Sequence, residues 1–347
     1  MAKRVLTIVG ARPQFIKAAA FSREASKDSR IDETLVHTGQ HFDENMSKVF
    51  FKELDIPNPK YSLNINGGSH GKMTGKMLSA LEDVLTEEEP DIVLVYGDTN
   101  STLAGSIAAA KLNIPIAHVE AGLRSFNKRM PEEINRVLTD HVSDFLFCPT
   151  TESVRNLRNE GISNGIFHVG DVMYDATLHA KEFLVKEEKK YQKTLRLRSG
   201  EFALMTIHRQ ESSSAHRFSK IMQFAIDFSE EHNLGILFPV HPRIRRLVDP
   251  YREESRFRFL EPLSYIETQY TISKAHTVLT DSGGLQKEAY FHSVPCVTLR
   301  SETEWVETIE CGWNRLWTVE NYNARNPIDE YGNGTGAKKI LNTLMNA

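Results

Sequence analysis

The stretch Leu6–Ala18, LTIVGARPQFIKA, decides how the rest of the chain is read. Val5 to Val9 is an apolar run of strand length, rich in β-branched residues. Gly10 breaks it, and Arg12 and Pro13 open a helical pattern that carries Lys17. A strand, a glycine turn and a helix start form half of a βαβ unit. The helix N-terminus offers free N–H groups to an anion. The turn lacks the G-x-G-x-x-G fingerprint of dinucleotide binding, so the basic pair Arg12 and Lys17 needs another explanation.

The same alternation continues outward from this unit. Apolar runs ETLVHTG (33–39), DIVLVYGD (91–98), IPIAHVEAG (114–122) and DFLFCPT (144–150) are separated by helical patterns such as STLAGSIAAAKL (101–112). Strands alternating with helices imply parallel βαβ units. A charged stretch, KEEKKYQKTLRLRSGE (186–201), reads as an exposed helix and a linker. The alternation then restarts with EFALMTIH, LGILFPVHP, FRFLEP, HTVLTDSGG and VPCVTL. The expected architecture is α/β, with two Rossmann-like domains facing across a cleft. Residues 1–169 with a returning C-terminal helix at 335–347 form one domain, and 170–334 form the other.

Composition excludes several function classes. The 347 residues are 40% hydrophobic and 25% charged, as in ordinary globular chains. A net charge of −4 gives no general basic field, so no nucleic-acid partner is expected. No apolar stretch approaches the roughly 20 residues needed to span a membrane, so no membrane partner is expected either. Cys148, Cys296 and Cys311 stand far apart with no C-x-x-C, which suits a reducing compartment and a cytoplasmic location.

The strongest local signal is TVLTDSGGLQKEA (277–289). A strand ends at Asp281, and Ser282, Gly283 and Gly284 form a turn before a helix expected from about Leu285. Glycines let backbone approach a ligand, and the helix start favours a diphosphate. Glu288, about a turn inside, is placed to take the hydroxyls of a ribose. A plain Ser-capped turn explains the same residues.

Three carboxylates sit where first-half strands end or the next helix begins: Asp98, Glu120 and Glu132. In parallel α/β sheets, ligands collect at the carboxyl ends of strands. For Asp98 alone an N-cap role is an equal reading, and for Glu132 a favourable first-turn charge. Three such acids together are harder to explain as caps. His208 and His241 each end a second-half strand. His37 and His41 are four apart but straddle Gly39, and no other metal spacing occurs, so no metal is expected.

Eight ordered motifs, GARPQFIK, TGQH, YGDTNSTLAG, HVEAGLRS, PEEINR, HRQE, PVHP and LTDSGGLQKEA, span nearly the whole chain. Together they resemble the non-hydrolysing UDP-N-acetylglucosamine 2-epimerases. The resemblance implies a GT-B type fold, a homodimer, UDP on the C-terminal domain and the sugar at the N-terminal one. It implies Lys17, Asp98, Glu120, Glu132 and His208 as catalytic residues. It implies Arg12, His241, Ser282, Gly283, Gly284 and Glu288 as contacts to the UDP-sugar, with no cofactor.

The family's reaction inverts C2 by eliminating UDP across C1–C2 to a 2-acetamidoglucal and adding it back, in the service of surface polysaccharide precursors. That route needs an acid and a base near C2 and cations at the departing diphosphate. Two alternatives share much of the pattern: a hydrolysing 2-epimerase and a GT-B glycosyltransferase. Within the family, HRQE, TEWVE (303–307) and RSFNKRMPEEINR (124–136) look like a sub-branch acting on UDP-2,3-diacetamido-2,3-dideoxyglucuronate. Lys128, Arg129 and Arg300 are its candidate partners for the extra carboxylate.

Overall fold

The structure, a computed structural model, describes residues 2–40, 53, 54, 56–209 and 211–346. The chain divides into two compact units, Met1–Leu178 with Asp329–Ala347, and His179–Ile328.

The first unit is built on a parallel sheet of β1 (Lys3–Val9), β2 (Ile31–His37), β3 (Tyr61–Ser62), β4 (Ile92–Tyr96), β5 (Ile116–Val119), β6 (Phe145–Cys148) and β7 (Ile166–His168). Their order is β3-β2-β1-β4-β5-β6-β7. Its described helices are α1 (Arg12–Ala25), α2 (His70–Glu88), α3 (Asn100–Lys111), α4 (Pro131–Val142), α5 (Thr151–Asn159) and the start of α6 (Val172–Leu195). Leu6, Ile8, Val36, Val93 and Val95 of the sheet pack against Met77 and Leu81 of α2 and Ala104 and Ala108 of α3. The alanines let α3 lie close. A side chain at Gly105 would come within 2.6 Å of Ile8 Cδ1.

The second unit has a parallel sheet of β8 (Phe202–Thr206), β9 (Gly235–Pro239), β10 (Phe257–Leu260), β11 (Thr277–Thr280), β12 (Cys296–Thr298) and β13 (Asn314–Leu316), in the order β10-β9-β8-β11-β12-β13. Its further helices are α7 (Ala215–His232), α8 (Arg245–Val248), α9 (Tyr265–Lys274), α10 (Gly283–Phe291) and α11 (Val306–Glu310). Phe218, Ile221, Met222 and Ala225 of α7 cover Met205, Ile236, Phe238 and Leu279 of the sheet. The last helix, α12 (Gly336–Asn346), packs beside α1 in the first unit. Its first N–H groups, at Gly336 and Ala337, donate to Asp175 at 3.2 and 2.7 Å.

Both units are therefore Rossmann-like, the class the alternation implies. In each, strand order reverses once: between β1 and β4 in the first, and between β8 and β11 in the second. Ligands of open parallel sheets bind at such switch points, beyond the carboxyl ends of the strands.

One expectation is extended and one is shifted. The charged stretch from Lys186 is helical to Leu195 and non-helical over 196–201, as expected, and its helix is the tail of α6, which starts at Val172. Buried Leu184, Tyr191 and Leu195 recur along it at helical spacing. Helix α10 begins at Gly283, ahead of Leu285, because Ser282 already supplies the cap.

Candidate functional site

At the first switch point, the turn after β1 is held by a side chain that the motif reading passed over. Gln14 Oε1 accepts from Gly10 N and Ala11 N at 2.8 and 3.0 Å, reaching back from the third helical position as the second half of a capping box does, while Ala11 has no side-chain oxygen to supply the first half. Its Nε2 donates to Tyr96 O at 2.8 Å and Thr102 Oγ1 at 2.9 Å, tying β1 to the end of β4. Gly10 cannot carry a side chain, since its Cβ would overlap Thr38 Oγ1 and Ser101 Oγ. Arg12 is half-buried at the first position of α1.

Lys17, on α1, is buried and forms an ion pair with Glu120, just past β5. Their side chains are only 6% and 10% exposed. A buried pair persists only when each charge meets the other, since either left alone pays the full desolvation penalty. Glu120 has φ 73°, in the left-handed region that an L side chain enters at roughly 1–2 kcal/mol. Such outliers cluster at functional sites. Gly97 lies against the pair, because a Cβ there would sit 3.1 Å from Lys17 Nζ and 3.3 Å from Glu120 Oε2.

Asp98 follows directly. It is not the helix cap: Thr99 caps α3, accepting from Thr102 N at 3.3 Å. The Asp98 carboxylate instead accepts from Arg136 at 2.6 Å, and its carbonyl accepts from Asn135 at 2.9 Å. Arg136 also donates to Glu133 at 2.8 Å. Glu133 accepts from Ser125 N and Phe126 N, each at 2.8 Å. Burial acts to push the Glu133 carboxyl up, but these donors and the Arg136 charge outweigh it and hold it below its ordinary value. Glu132, the neighbour on α4, is half-buried and makes no hydrogen bond or ion pair among the described residues. The structure thus joins Lys17 to Glu120 through a direct pair and lays Gly97, next to Asp98, against it, without bringing Glu132 into contact with either.

At the second switch point, Asp281 is fully buried at the end of β11. Its carboxylate accepts from His208 N at 3.2 Å and Arg209 N at 3.0 Å, and faces His208 Nδ1 at 3.4 Å. The His208 and His241 rings lie 6.2 Å apart. Arg243 donates its N–H to His241 Nδ1 at 3.2 Å and a guanidinium N–H to His208 O at 2.8 Å.

Ser282 caps α10 through Leu285 N at 3.5 Å, and Gly284 is half-buried in the first turn. The bareness of Gly283 is used by the protein itself: a Cβ would meet Glu304 Oε1 at 2.6 Å and Trp305 Nε1 at 3.2 Å. Glu304 in turn accepts from Arg300 at 2.8 Å and pairs with Arg209 at 3.4 Å. Arg300 is therefore committed to a carboxylate of its own chain, while Lys128 and Arg129 are exposed. Glu288 is buried in α10. His41 and Gln210 of the quoted motifs lie outside the described residues. Among the described residues, no group of three or more His, Cys, Asp or Glu is arranged to hold a metal, and no helix is long and apolar enough to cross a membrane.

The residues missed by motif reading are Gln14, Glu133, Arg136, Asp281 and Glu304. Only Glu133 and Arg136 carried a local signal, an acid and a base three apart on one helix face.

Comparison with known proteins identifies the family. A family model described as UDP-N-acetylglucosamine 2-epimerase matches residues 23–345. A "UDP-N-acetylglucosamine 2-epimerase homolog" of Methanococcus maripaludis is 49% identical over 99% of both chains. The UDP-2,3-diacetamido-2,3-dideoxy-D-glucuronate 2-epimerase of Pseudomonas aeruginosa is 48% identical over 90% of this chain and 88% of its own. The crystal structure of the Methanocaldococcus jannaschii UDP-GlcNAc 2-epimerase in complex with UDP-GlcNAc and UDP superposes with a TM-score of 0.92 at 40% identity, covering both chains fully. That likeness gives the GT-B-like fold class expected from the sequence. With the family match running over almost the whole chain and relatives 48–49% identical along it, this protein belongs to the UDP-N-acetylglucosamine 2-epimerase family.

Proposed function

We propose that the chain is a non-hydrolysing UDP-sugar 2-epimerase that inverts C2 of a UDP-2-acetamido sugar by eliminating and re-adding UDP. The observation that carries this reading is the buried Lys17–Glu120 pair at the first switch point, with Gly97 against it and Asp98 next in the chain.

The C2 hydrogen is not next to a carbonyl, so it cannot be removed by simple enolisation. It leaves with UDP as the C1–O bond breaks, and the electrons of the C2–H bond form the C1=C2 bond. Asp98, Glu120 and Glu132 are the proposed acid and base groups. A carboxylate takes the C2 proton, and a carboxylic acid returns one to the opposite face before UDP adds back at C1. Lys17, paired with Glu120, holds its carboxylate in place. The Ser282–Gly284 turn and the N-terminus of α10 are the proposed diphosphate site. His208 and His241 are proposed as further contacts to the diphosphate, Glu288 as the ribose acceptor, and Arg12 as a contact to the UDP-sugar. We also propose a homodimer in the cytoplasm that supplies surface polysaccharide precursors.

A second reading concerns the sugar. The Pseudomonas relative at 48% identity supports UDP-2,3-diacetamido-2,3-dideoxyglucuronate as the substrate. The deciding assay offers each UDP-sugar alone in heavy water and reads C2 by NMR. Deuterium at C2 of recovered substrate and product, with no free sugar released, is the expected result. Retained protium at C2 after many turnovers breaks the elimination route, and free N-acetylmannosamine makes the enzyme hydrolysing.

A further inference from the structure

A buried histidine of the first unit lies outside the acid, base and phosphate groups named so far. His118, on β5, is completely buried, and each of its ring nitrogens faces an oxygen. Nε2 lies 2.8 Å from the carbonyl of Gly97, and Nδ1 lies 2.7 Å from Asp140 Oδ1. A carbonyl only accepts. With its other oxygen Asp140 accepts from Arg124 and from the Gly122 N–H, so it is set as an acceptor towards the ring as well. With acceptors on both sides, both ring nitrogens donate, and a histidine that donates twice is an imidazolium.

The contacts around this ring reach both turns of the proposed site. The Gly97 N–H donates to Val119 O at 3.0 Å, so His118 holds the other end of a glycine whose φ is 62°. Asp98 follows Gly97 directly. On the far side, Asp140 Oδ2 accepts from Gly122 N at 3.1 Å and from Arg124 at 2.7 Å. Gly122 ends the turn that begins with Glu120. Arg124 is itself anchored by two hydrogen bonds, at 2.6 and 2.8 Å, to Glu160 at the rim. The charges alternate along the row from Glu160 through Arg124 and Asp140 to His118, so the buried cation is paired.

We propose that His118 is a positioning residue, a buried imidazolium that fixes the Gly97 carbonyl and, through Asp140, the Gly122 amide, holding the turns of Asp98 and Glu120 at one spacing. This rests on the reading of Asp98 and Glu120 as proton-transfer groups. A core histidine that only filled space would need neither nitrogen protonated twice nor a partner in each turn.

The test has a spectroscopic arm and a kinetic arm. Protein labelled with 15N-histidine is expected to show one ring with a proton on each nitrogen, both shielded from exchange with water and hydrogen-bonded to oxygen. That signal should vanish in His118→Gln. A wild-type spectrum in which no such ring occurs overturns the proposal, whether or not the variant folds. In the kinetic arm, His118→Gln can donate to Gly97 but cannot also span to Asp140. Its kcat is expected to fall about 100-fold, the scale of a misplaced reacting group, while the UDP dissociation constant stays within about threefold, inside the usual twofold-to-threefold context spread of such effects. A folded His118→Gln with wild-type kcat overturns it. Wild-type protein that turns over neither UDP-sugar breaks the epimerase reading instead, and the nitrogen spectrum then still decides whether His118 is a buried cation.

Discussion

The two switch points have the same backbone plan and different chemistry. Beyond β1 and β4 the nearest side chains are a closed ion pair, Lys17 with Glu120, and a second acid, Asp98, clamped by Arg136. Beyond β8 and β11 a buried carboxylate, Asp281, is turned inward to hold backbone N–H groups of His208 and Arg209, and Ser282 caps the helix that starts there. The first arrangement gathers carboxylates, which can gain or lose protons. The second gathers backbone N–H groups with Arg209 and Arg243 beside them, which suit an anion. On the proposed reading one topology serves two jobs, proton transfer in the first unit and diphosphate binding in the second.

The largest effect that would break this division is expected at Glu120. Glu120→Gln keeps an acceptor oxygen but removes the counter-charge of a buried ammonium, so stability should fall by about 3–5 kcal/mol. Removing an acid–base group should lower kcat by roughly 10²–10⁴-fold. The double variant Lys17→Met/Glu120→Gln should regain much of the stability and none of the activity, because it takes away both buried charges. Thermal melts and kcat on the three variants separate the two losses. Wild-type turnover in Glu120→Gln would remove the first switch point from proton transfer.

A smaller effect is expected at Asp281. Asp281→Asn leaves one acceptor oxygen and sets an amide N–H₂ against the N–H groups of His208 or Arg209. A buried donor left unsatisfied costs about 1–3 kcal/mol. Because the second region is assigned to binding, the loss should appear as a UDP dissociation constant raised about tenfold, following the 1.4 kcal/mol per decade of affinity. Calorimetry with UDP and deuterium exchange at C2 read the two quantities separately. Unchanged UDP affinity with exchange abolished would move His208 from binding to proton transfer and blur the contrast between the regions.

What the sequence disclosed about these regions follows the range of the interactions. The strand runs, Gly10, the Asp98 and Glu120 positions and the Ser282 turn are written in neighbouring residues, so period and turn chemistry expose them. Gln14 acts on Tyr96 and Thr102, more than 80 positions away, and nothing local marks it. Asp281 reads as a strand end until His208 is seen to lie beside it. Glu304 and Trp305 fill the space above Gly283 from a different loop, a packing reason for the glycine that its own motif does not show. Short strands such as β3 and β7 escaped because two or three residues are too few to show a period. The alternatives left open for Asp98 were decided by one residue, Thr99, which takes the cap and frees the carboxylate for Arg136.

That same contrast sets the smallest prediction, between the two helix caps. Thr99 caps α3 and Ser282 caps α10, each through the N–H three residues on, at 3.3 and 3.5 Å. Removing a capping hydroxyl costs about 0.5–2 kcal/mol when the cap serves the helix alone. Thr99 also bonds the Thr102 hydroxyl at 3.1 Å, so its hydroxyl is held within the fold. Thr99→Ala should therefore lose about 1 kcal/mol in a denaturant melt, with UDP affinity unchanged. The longer Ser282 bond is the weaker cap, and its hydroxyl stands at the proposed diphosphate site. Ser282→Ala should melt close to wild type while UDP binding weakens several-fold, the cost of roughly one hydrogen bond to a charged group. The reverse pattern, with affinity lost at Thr99 and only stability lost at Ser282, would place the diphosphate at the first switch point and exchange the roles of the two sheets.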